Sequence, residues 1–432
     1  MKPLLLLVAL ALPVAGFASD LSTIYNMAQE NDTGLKIARA NRDANRENLP
    51  IAEANLLPSI SASADAAYAF QDVDSRTAGK FDQDFDSQSA TLSVTYPLYR
   101  RARNLTVDQA GYVYEQADAD YAAAEQDLTA RTAQAYFAVL AAYDNVEFAE
   151  SEKAAIERQL DQAQQRFDVG LVAITDVHEA QARYDQARAD EIVAINNLDD
   201  SRESLREIIG VLPQQLSPLK DDVPLLKPNP TDVEEWARVA LTQNPSILSA
   251  KFQMEAAREE IGIQRAADDF TVDVVGSYDI SRSDSSLSAE TDTASITLQL
   301  AKPLYTGGGT EASTRKARFQ FDAATETLEQ RHREIDRSVR NSYRGVISAI
   351  SRVEALEASQ RSAQSALEAT EAGFDVGTRT LVDVLNGQRD LYRARRDYAQ
   401  SRYDYILNTL TLFQAAGALG EEDVQRVNSW LK

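Results

Sequence analysis

The chain contains 432 residues and carries a formal charge of −23, from 44 Lys and Arg against 67 Asp and Glu. It has no cysteine and two histidines, which excludes disulfides, thiolate catalysis and metal sites built on Cys or His clusters. The acidic balance argues against a nucleic-acid partner, because phosphate recognition requires concentrated basic side chains.

The N-terminus predicts a secretion signal. Residues 1–18 combine a basic Lys2, an apolar run over residues 4–12 and the small-x-small sequence GFA, so we expect cleavage after Ala18. The alternative, a membrane anchor, would need a longer run to cross a hydrocarbon core about 30 Å thick. No other segment approaches the roughly 18 apolar residues of a transmembrane helix. The mature chain is therefore expected to be exported, and any membrane span must be built from strands.

Two parts of the sequence recur later in the chain at nearly constant spacing. AQENDTGL, around Asn31, is answered by TQNPSIL around Asn244. RFDVGLVAITDV, ending at Val177, is answered by GFDVGTRTLVDV, ending at Val384. Because there are two copies and no more, the pattern indicates a two-fold duplication rather than a solenoid.

The duplication defines the expected domain organisation. A first repeat over residues 19–211 is followed by a second over residues 231–418, and a C-terminal segment covers residues 419–432. Between the repeats, residues 212–230 contain five prolines, which predict an extended connector.

Each repeat is predicted to contain a helix, two strands and a long helical hairpin. The first helix is expected over residues 21–56 and its copy over residues 233–268, while the first hairpin consists of residues 104–168 and 174–209. The long helices carry thin apolar stripes separated by charges, a pattern that is typical of side-by-side coiled-coil packing. The helix pattern alone also allows a simple two-stranded coiled-coil rod.

Four segments alternate apolar and polar residues and are predicted to be strands. They cover residues 59–70, 89–98, 271–281 and 295–300. Such alternation over about ten residues is the signature of transmembrane barrel strands, although a soluble sheet with one wet face gives the same pattern. The membrane interpretation is favoured because the helices are committed to one another and leave the apolar strand face uncovered. The polar segments VDSRTAGKFDQDFD and RSDSSLSAETD are expected to be external loops.

These strands cannot form a closed barrel within one chain, because about eight strands is the usual minimum in outer membranes. An open sheet edge in lipid would leave backbone groups without hydrogen-bond partners. We therefore expect an α+β fold in which several subunits contribute strands to one barrel.

The turns and the strand-to-helix junctions resemble the TolC family of outer-membrane channels. The matching segments are GLVAITDVHEAQARYD from Gly170, VGTRTLVDVL from Val376, and YPLY and KPLY at the junctions. AQENDTGL and TQNPSIL match as well, so the resemblance covers the mature chain in order. It implies a homotrimer with a twelve-stranded transmembrane β-barrel continuous with a long periplasmic α-helical barrel, located in the bacterial outer membrane and extending into the periplasm.

The same resemblance implies a function. The chain is expected to be a passive exit duct that exports drugs, proteins or both, and that is gated at its periplasmic tip. Its expected partners are a periplasmic adaptor, an inner-membrane efflux pump or ABC transporter, and the lipid of the outer membrane. No cofactor or metal is expected.

The resemblance also assigns functional residues near the two turns. A pore constriction with a cation-binding ring falls on Asp383 and Asn386, and the amide of Asn386 stands where the family has a second carboxylate. The family usually has tyrosine at the position of Phe374, so the hydrogen bond of that hydroxyl cannot form in this chain. The links that keep the inner hairpin closed fall on Thr175, Asp176, Phe374 and Arg379.

The tips of the hairpins are expected to be the docking site of the adaptor. The residues concerned are Gly170, Leu171, Gly377 and Thr378.

These turns also have a purely structural interpretation. Thr380 with Asp383, and Asp176 with Glu179, fit capping boxes at the starts of two helices. The capping pattern by itself favours a structural role for Asp383, whereas the family resemblance favours a place in the ring.

Two other classes of protein compete with the channel. An enzyme is poorly supported, because the sequence contains no nucleophile–base pair, phosphate loop or metal cluster. A periplasmic coiled-coil adaptor or structural protein is the stronger alternative. Such a protein would have no need of strands that alternate toward lipid.

Overall fold

A computed structural model of the chain describes residues 19–75, 79–212, 215–285 and 290–432. The predicted secretion signal, residues 1–18, lies outside the described residues. The elements follow in the order α1 Leu21–Asn31, α2 Thr33–Arg46, α3 Asn48–Ala54, β1 Ser59–Ser75, β2 Gly79–Tyr99, α4 Arg101–Asp168, α5 Ile174–Ile209, α6 Val233–Gln243, α7 Pro245–Arg265, the 3₁₀ helix Ala266–Asp268, β3 Thr271–Ser283, β4 Thr291–Ala301, α8 Gly309–Asp375, α9 Leu381–Ala415 and α10 Glu421–Asn428.

The order of elements is the same in the two halves of the chain. Each half contains short helices, then a pair of strands, then a pair of long helices. Long helices combined with one four-stranded sheet confirm the expected α+β fold. The return helix α5 has the predicted bounds, Ile174 and Ile209. The boundaries of the two repeats as separate domains stay a prediction.

The first helix of each half is broken, and the prediction of one continuous helix is wrong. In the first half α1 ends at Asn31, and Asp32 Oδ1 accepts a hydrogen bond from the backbone N–H of Leu35 at 2.7 Å at the start of α2. In the second half Pro245 is the first residue of α7, where its missing N–H costs nothing. These two breaks occur at single residues that the apolar periodicity does not reveal, and the first half has a further break at Glu47, between α2 and α3.

The four strands form one antiparallel sheet in the order β1-β2-β3-β4. Its register pairs Leu92 with Tyr278 and Val274 with Leu298. Residues that are directly opposite in an antiparallel sheet share a face. The predicted apolar residues of β2, β3 and β4 therefore lie on the same face of the sheet.

The β1–β2 hairpin is longer than expected. The two strands pair as far as Ser75 and Gly79, so the prediction of an external loop over VDSRTAGKFDQDFD is wrong for most of that segment. The segment still alternates, but its apolar residues, Phe81 and Phe85, have changed face relative to Leu92. Because this segment is rich in polar residues, its alternation with a period of two residues was not recognised as that of a strand. Residues 76–78 and 286–289, which belong to the predicted loops, lie outside the described residues.

Most of the helical residues form one compact unit, made of residues 19–39, 121–245 and 332–432. At the edge of its core the carboxylate of the half-buried Asp144 accepts a hydrogen bond from the hydroxyl of Tyr403 at 2.7 Å. Burial raises the pKa of Asp144. A second unit, residues 40–120 and 246–331, contains the sheet. The largest fully buried side chains of the first unit include Tyr136, Phe137, Leu205, Tyr405 and Ile406.

In each half, the glycine that follows the last long helix packs on the end of the first helix. Gly210, with φ +79°, lies beside Asn31, and Gly417, with φ +75°, lies beside Asn244. The side-chain amide of Asn244 donates to the backbone oxygen of Ala415 at 3.0 Å. A Cβ on Gly417 would be 2.6 Å from the Cα of Asn244. This position therefore requires glycine for its backbone angle and for its lack of a side chain.

We expect Gly417→Ala to destabilise the protein by about 1–3 kcal/mol, because it adds left-handed strain and a clash with backbone atoms. Gly111→Ala is the matched control, since a Cβ there meets no atom within 4 Å and alanine favours a helix interior. Thermal unfolding in detergent, followed by circular dichroism, measures both variants. Equal melting temperatures would contradict the close packing of Gly417 on Asn244.

Candidate functional site

The predicted apolar residues of β2 and β4 are exposed, and on β2 the polar face is half-buried. On β2, Leu92 is 48% exposed, whereas Thr91 on the opposite face is half-buried. On β4, Ile296 and Leu298 are 86% and 67% exposed. A sheet in water buries its apolar face instead. The distribution seen here is typical of strands that face lipid.

The opposite face of the sheet is lined by hydrogen-bonded polar side chains. The hydroxyls of Ser61 and Ser93 are 2.8 Å apart across β1 and β2. Between β2 and β3, the hydroxyl of Thr91 donates to the carboxylate of Asp279 at 2.8 Å. Polar side chains of this kind suit the water-filled interior of a membrane barrel.

The two long hairpins turn by the same backbone geometry. At the end of α4, the N–H of Leu171 donates to the oxygen of Arg166 at 2.8 Å and the N–H of Gly170 to that of Phe167 at 2.9 Å. This is a Schellman motif, and Gly170 has φ +77°. α8 ends with the equivalent pair of bonds, and Gly377 has φ +80°. Glycine is favoured at both turns because other residues adopt this backbone angle at a cost.

The tips of the hairpins present apolar side chains to solvent. Val169, Leu171 and Val376 are 70%, 74% and 76% exposed, and Thr378 is exposed as well. In a Schellman motif the residue after the glycine often packs on an apolar residue of the preceding turn. At the α4 tip that position is Arg166, so Leu171 has no apolar partner there. The predicted docking residues are thus available for another molecule.

Asp383 forms the predicted capping box at the start of α9. Its Oδ2 accepts hydrogen bonds from the backbone N–H and the hydroxyl of Thr380, at 2.9 and 2.8 Å. These bonds, with a smaller contribution from the charge of Arg379, hold the pKa of Asp383 below its usual range. The cap uses one carboxylate oxygen, which leaves the other able to face a pore. Asn386 lies three residues further along the same helix face and is half-buried.

α5 has no such cap, and the predicted capping box of Asp176 and Glu179 is wrong. The residue before α5 is Ala173, whose side chain accepts no hydrogen bond. In the second repeat the corresponding position is Thr380. Asp176 instead lies in the first turn of α5, where a negative charge is favoured by the helix dipole.

The predicted gate residues lie on both tips, and among the described residues no hydrogen bond or salt bridge links the side chains of Thr175 and Asp176 to Arg379. Thr175 and Asp176 lie in the first turn of α5, and Arg379 lies just before α9. In the part of the chain that the structure describes, the Arg379 guanidinium makes no hydrogen bond or salt bridge. Its stem packs on Gly373, where an added Cβ would be 2.8 Å from Arg379 Cγ. The gate links and the ring at Asp383 and Asn386 stay predictions.

Two residues that the sequence reasoning missed connect the tips. The guanidinium of Arg166 lies 4.5 Å from the ring centroid of Phe374, and its Nη2 is 3.5 Å from Asp375 Oδ1. The duplication contained the signal for this contact. The turn motifs read RFDVG and GFDVG, so Arg166 and its counterpart Gly373 are the one difference between them.

None of the described helices has a stretch apolar enough, and long enough, to cross a bilayer. Within the described ranges, no cluster of acidic or histidine side chains has the arrangement needed to hold a metal ion.

Comparisons with known proteins agree with this architecture. The family model described as outer membrane efflux protein matches residues 24–211 and 236–418. Outer membrane protein TolC of Vibrio cholerae is 40% identical over 423 residues, which cover 97% of this chain and 95% of that protein. The alkaline protease secretion protein AprF of Pseudomonas aeruginosa is 30% identical over 421 residues, covering 95% and 87%. A crystal structure of a membrane protein from Pseudomonas aeruginosa has the same fold, with a TM-score of 0.82 at 22% identity over 94% of this chain and 92% of that one.

An exit duct of the outer membrane is the class of protein that these matches define, and the exposed apolar residues of the sheet agree with it. The chain belongs to the outer membrane efflux protein family. Its relatives are channels rather than enzymes, and the alternative of a periplasmic coiled-coil adaptor is not favoured.

Proposed function

We propose that three copies of the chain form a passive exit duct with no catalytic activity of its own. Twelve strands, four from each copy, close the transmembrane barrel, and the long helices line a periplasmic tunnel. A periplasmic adaptor and an inner-membrane efflux pump or ABC transporter supply cargo and energy. The periplasmic tips form the gate.

The observation that carries this proposal is the exposed apolar face of a sheet with two free edges. In the described part of the chain, β1 and β4 each pair with one neighbouring strand. In lipid, each backbone group without a partner costs several kcal/mol, so these edges need strands from other copies. Two copies would also give a permitted strand number; the choice of three follows the TolC family.

Cross-linking tests the closed ring. The chain lacks cysteine, so Ser63→Cys on β1 and Thr293→Cys on β4, both on the polar face, can be joined by a short bis-maleimide in outer-membrane fractions. We expect covalent products that stop at three copies, together with a trimer that dissociates on heating. Cross-linked products of more than three copies, or products of two copies and no more, would contradict the proposed trimer.

We further propose that the adaptor docks on the exposed apolar tips. The support for this site is the exposure of Val169, Leu171 and Val376 on turns whose backbones are fixed by hydrogen bonds. Exposed apolar side chains on a rigid support are typical of protein contacts. The Thr378 side chain, which donates to the Gly373 oxygen at 3.0 Å, rigidifies the second tip.

We expect Gly377→Trp to reduce adaptor affinity and cellular efflux by about tenfold or more, because a bulky side chain would stand at the contact. Gly377→Asn is the matched control, since asparagine adopts the left-handed backbone and is small. Drug susceptibility and co-purification with the adaptor measure the effect, and the trimer yield shows whether assembly is intact. Full efflux by Gly377→Trp trimers would place docking elsewhere.

We propose that the cargo includes both drugs and proteins. Efflux is the description of the family, and the name of the relative AprF refers to protease secretion. Complementation of a host strain that lacks its own duct distinguishes the two classes of cargo. Restored drug resistance together with restored secretion of a protease would support the proposal, and failure of either would restrict the cargo to the other class.

A further inference from the structure

The two tips of the chain have the same backbone but different side chains at one position. Both tips contain the sequence FDVG. The residue before it is Arg166 at the end of α4 and Gly373 at the end of α8. Glycine at position 373 leaves room for the stem of Arg379. Arginine at position 166 instead extends from the first tip to the second.

Arg166 contacts two consecutive residues of the second tip. Its guanidinium lies over the ring of Phe374, at 4.5 Å from the centroid, and pairs with Asp375 at 3.5 Å. The ring of Phe374 is partly buried against two groups of apolar residues. The first group contains residues of α4 and α5, which form the first hairpin, and of α9 in the second. The second group contains residues of α8 and α9. Phe374 therefore packs against both groups, and the guanidinium of Arg166 lies over its ring.

We propose that Arg166, Phe374 and Asp375 form a tie within each chain that holds the two hairpins together in the closed state of the gate. The inference rests on the proposed gate at the tips and adds a residue on α4 to it. The resemblance implied that a tyrosine hydroxyl is missing at position 374. In this chain the ring accepts a guanidinium instead, so closure at this position depends on a cation–π contact and an ion pair.

The strength of the tie suits a gate that has to open. Arg166 is 34% exposed and Asp375 is 74% exposed, so water screens the pair. A cation–π contact at an exposed site adds a comparable, small stabilisation. We expect the loss of the tie to raise the open-state occupancy about threefold for each subunit. Three subunits multiply that effect when the gate opens as one unit.

The test is single-channel recording of the full chain in planar bilayers. Arg166→Gln and Asp375→Asn should each raise open-state occupancy, and the double variant should do no more than Arg166→Gln alone because both remove the same tie. Arg158→Gln is the matched control. It removes one positive charge from the same helix, and in the described residues Arg158 forms no salt bridge.

Arg379→Ser separates this inference from the proposed function. If the wild type and Arg379→Ser both form no channel, the proposed duct is wrong. If Arg379→Ser opens the channel while Arg166→Gln and Asp375→Asn behave like Arg158→Gln, the duct holds and the tie is wrong. Additive effects of the two tie variants would also overturn the inference, because they would indicate separate roles.

A second measurement covers the case in which Arg166→Gln assembles poorly. Arg166→Cys with Asp375→Cys can be bridged by a short, reducible bis-maleimide in a trimer that is already folded. We expect bridging to prevent the opening caused by Arg379→Ser, and reduction to restore it. Opening that is unaffected by the bridge would contradict a tie between the tips.

Discussion

Trimers carrying Leu92→Arg or Leu298→Arg should assemble with a much lower yield than the wild type. Both leucines lie on the exposed apolar face, at 48% and 67% exposure. A charge at the middle of the lipid-facing band costs roughly 2–4 kcal/mol, and the trimer repeats that cost in every copy. The measurement is the amount of heat-modifiable trimer in outer-membrane fractions at equal expression.

The adjacent residues provide the matched controls. Thr91→Arg and Thr297→Arg add the same charge to the same strands, but the side chain points to the polar face, where Thr91 donates to Asp279. We expect these variants to retain most of the trimer, because arginine in a water-filled interior keeps its hydration. Equal loss of trimer in both pairs would mean that the faces are assigned wrongly.

The sequence predicted the regularly alternating part of the sheet well. Leu92, Val94 and Tyr96 alternate with polar residues as expected and lie on the exposed face of β2. On the N-terminal side of Ser87 strand β2 continues as far as Gly79. There its apolar residues, Phe81 and Phe85, lie on the face opposite to Leu92. The change of face broke the pattern, and the aspartates between these residues suggested a loop.

At the tips, the sequence predicted the backbone but not the contacts. Gly170 and Gly377 identified the turns, because the positive φ angle at each turn favours glycine. The cap at Thr380 was also predicted, since it depends on residues three apart. The contact of Arg166 with Asp375 joins helices that are far apart in sequence, and local patterns contain no distance between them. The comparison of RFDVG with GFDVG was the available signal, because a difference between repeats marks a position where the two copies have separate tasks.

The gate should be sensitive to Arg379 and to the number of carboxylates in the constriction. The guanidinium of Arg379 makes no hydrogen bond or salt bridge within the described chain, so it is available for the proposed link to Thr175 and Asp176. We expect Arg379→Ser to increase single-channel conductance, because it removes that link from all three subunits. Arg158→Gln again controls for the loss of positive charge, and equal conductance in the two variants would exclude the link.

Block of the current by a divalent or trivalent cation tests the ring itself. In the proposed ring, Asn386 occupies the second position, so Asp383 would supply one carboxylate from each copy. Asn386→Asp should therefore tighten the block by on the order of tenfold, because it doubles the charge around one cation. Asp383→Ala should abolish the block in the wild-type background. Unchanged block in both variants would place the constriction at other residues.

The dependence of this block on pH follows from the hydrogen bonds of Asp383. Its pKa is lowered because the ionised carboxylate accepts from the backbone N–H and the hydroxyl of Thr380. The capping contribution is thus present above the ordinary aspartate pKa and is lost as the pH falls through the lower, folded value. We expect cation block to persist at pH 5 and to be lost only after the pH has fallen below the ordinary aspartate pKa of about 3.9. Thr380→Ala removes the hydroxyl hydrogen bond and keeps that of the backbone N–H. It should therefore shift the loss of block to higher pH, because less of the repulsion among the carboxylates of the proposed ring is then offset. A block that disappears at the same pH in Thr380→Ala and in the wild type would show that the cap does not control the charge of the ring.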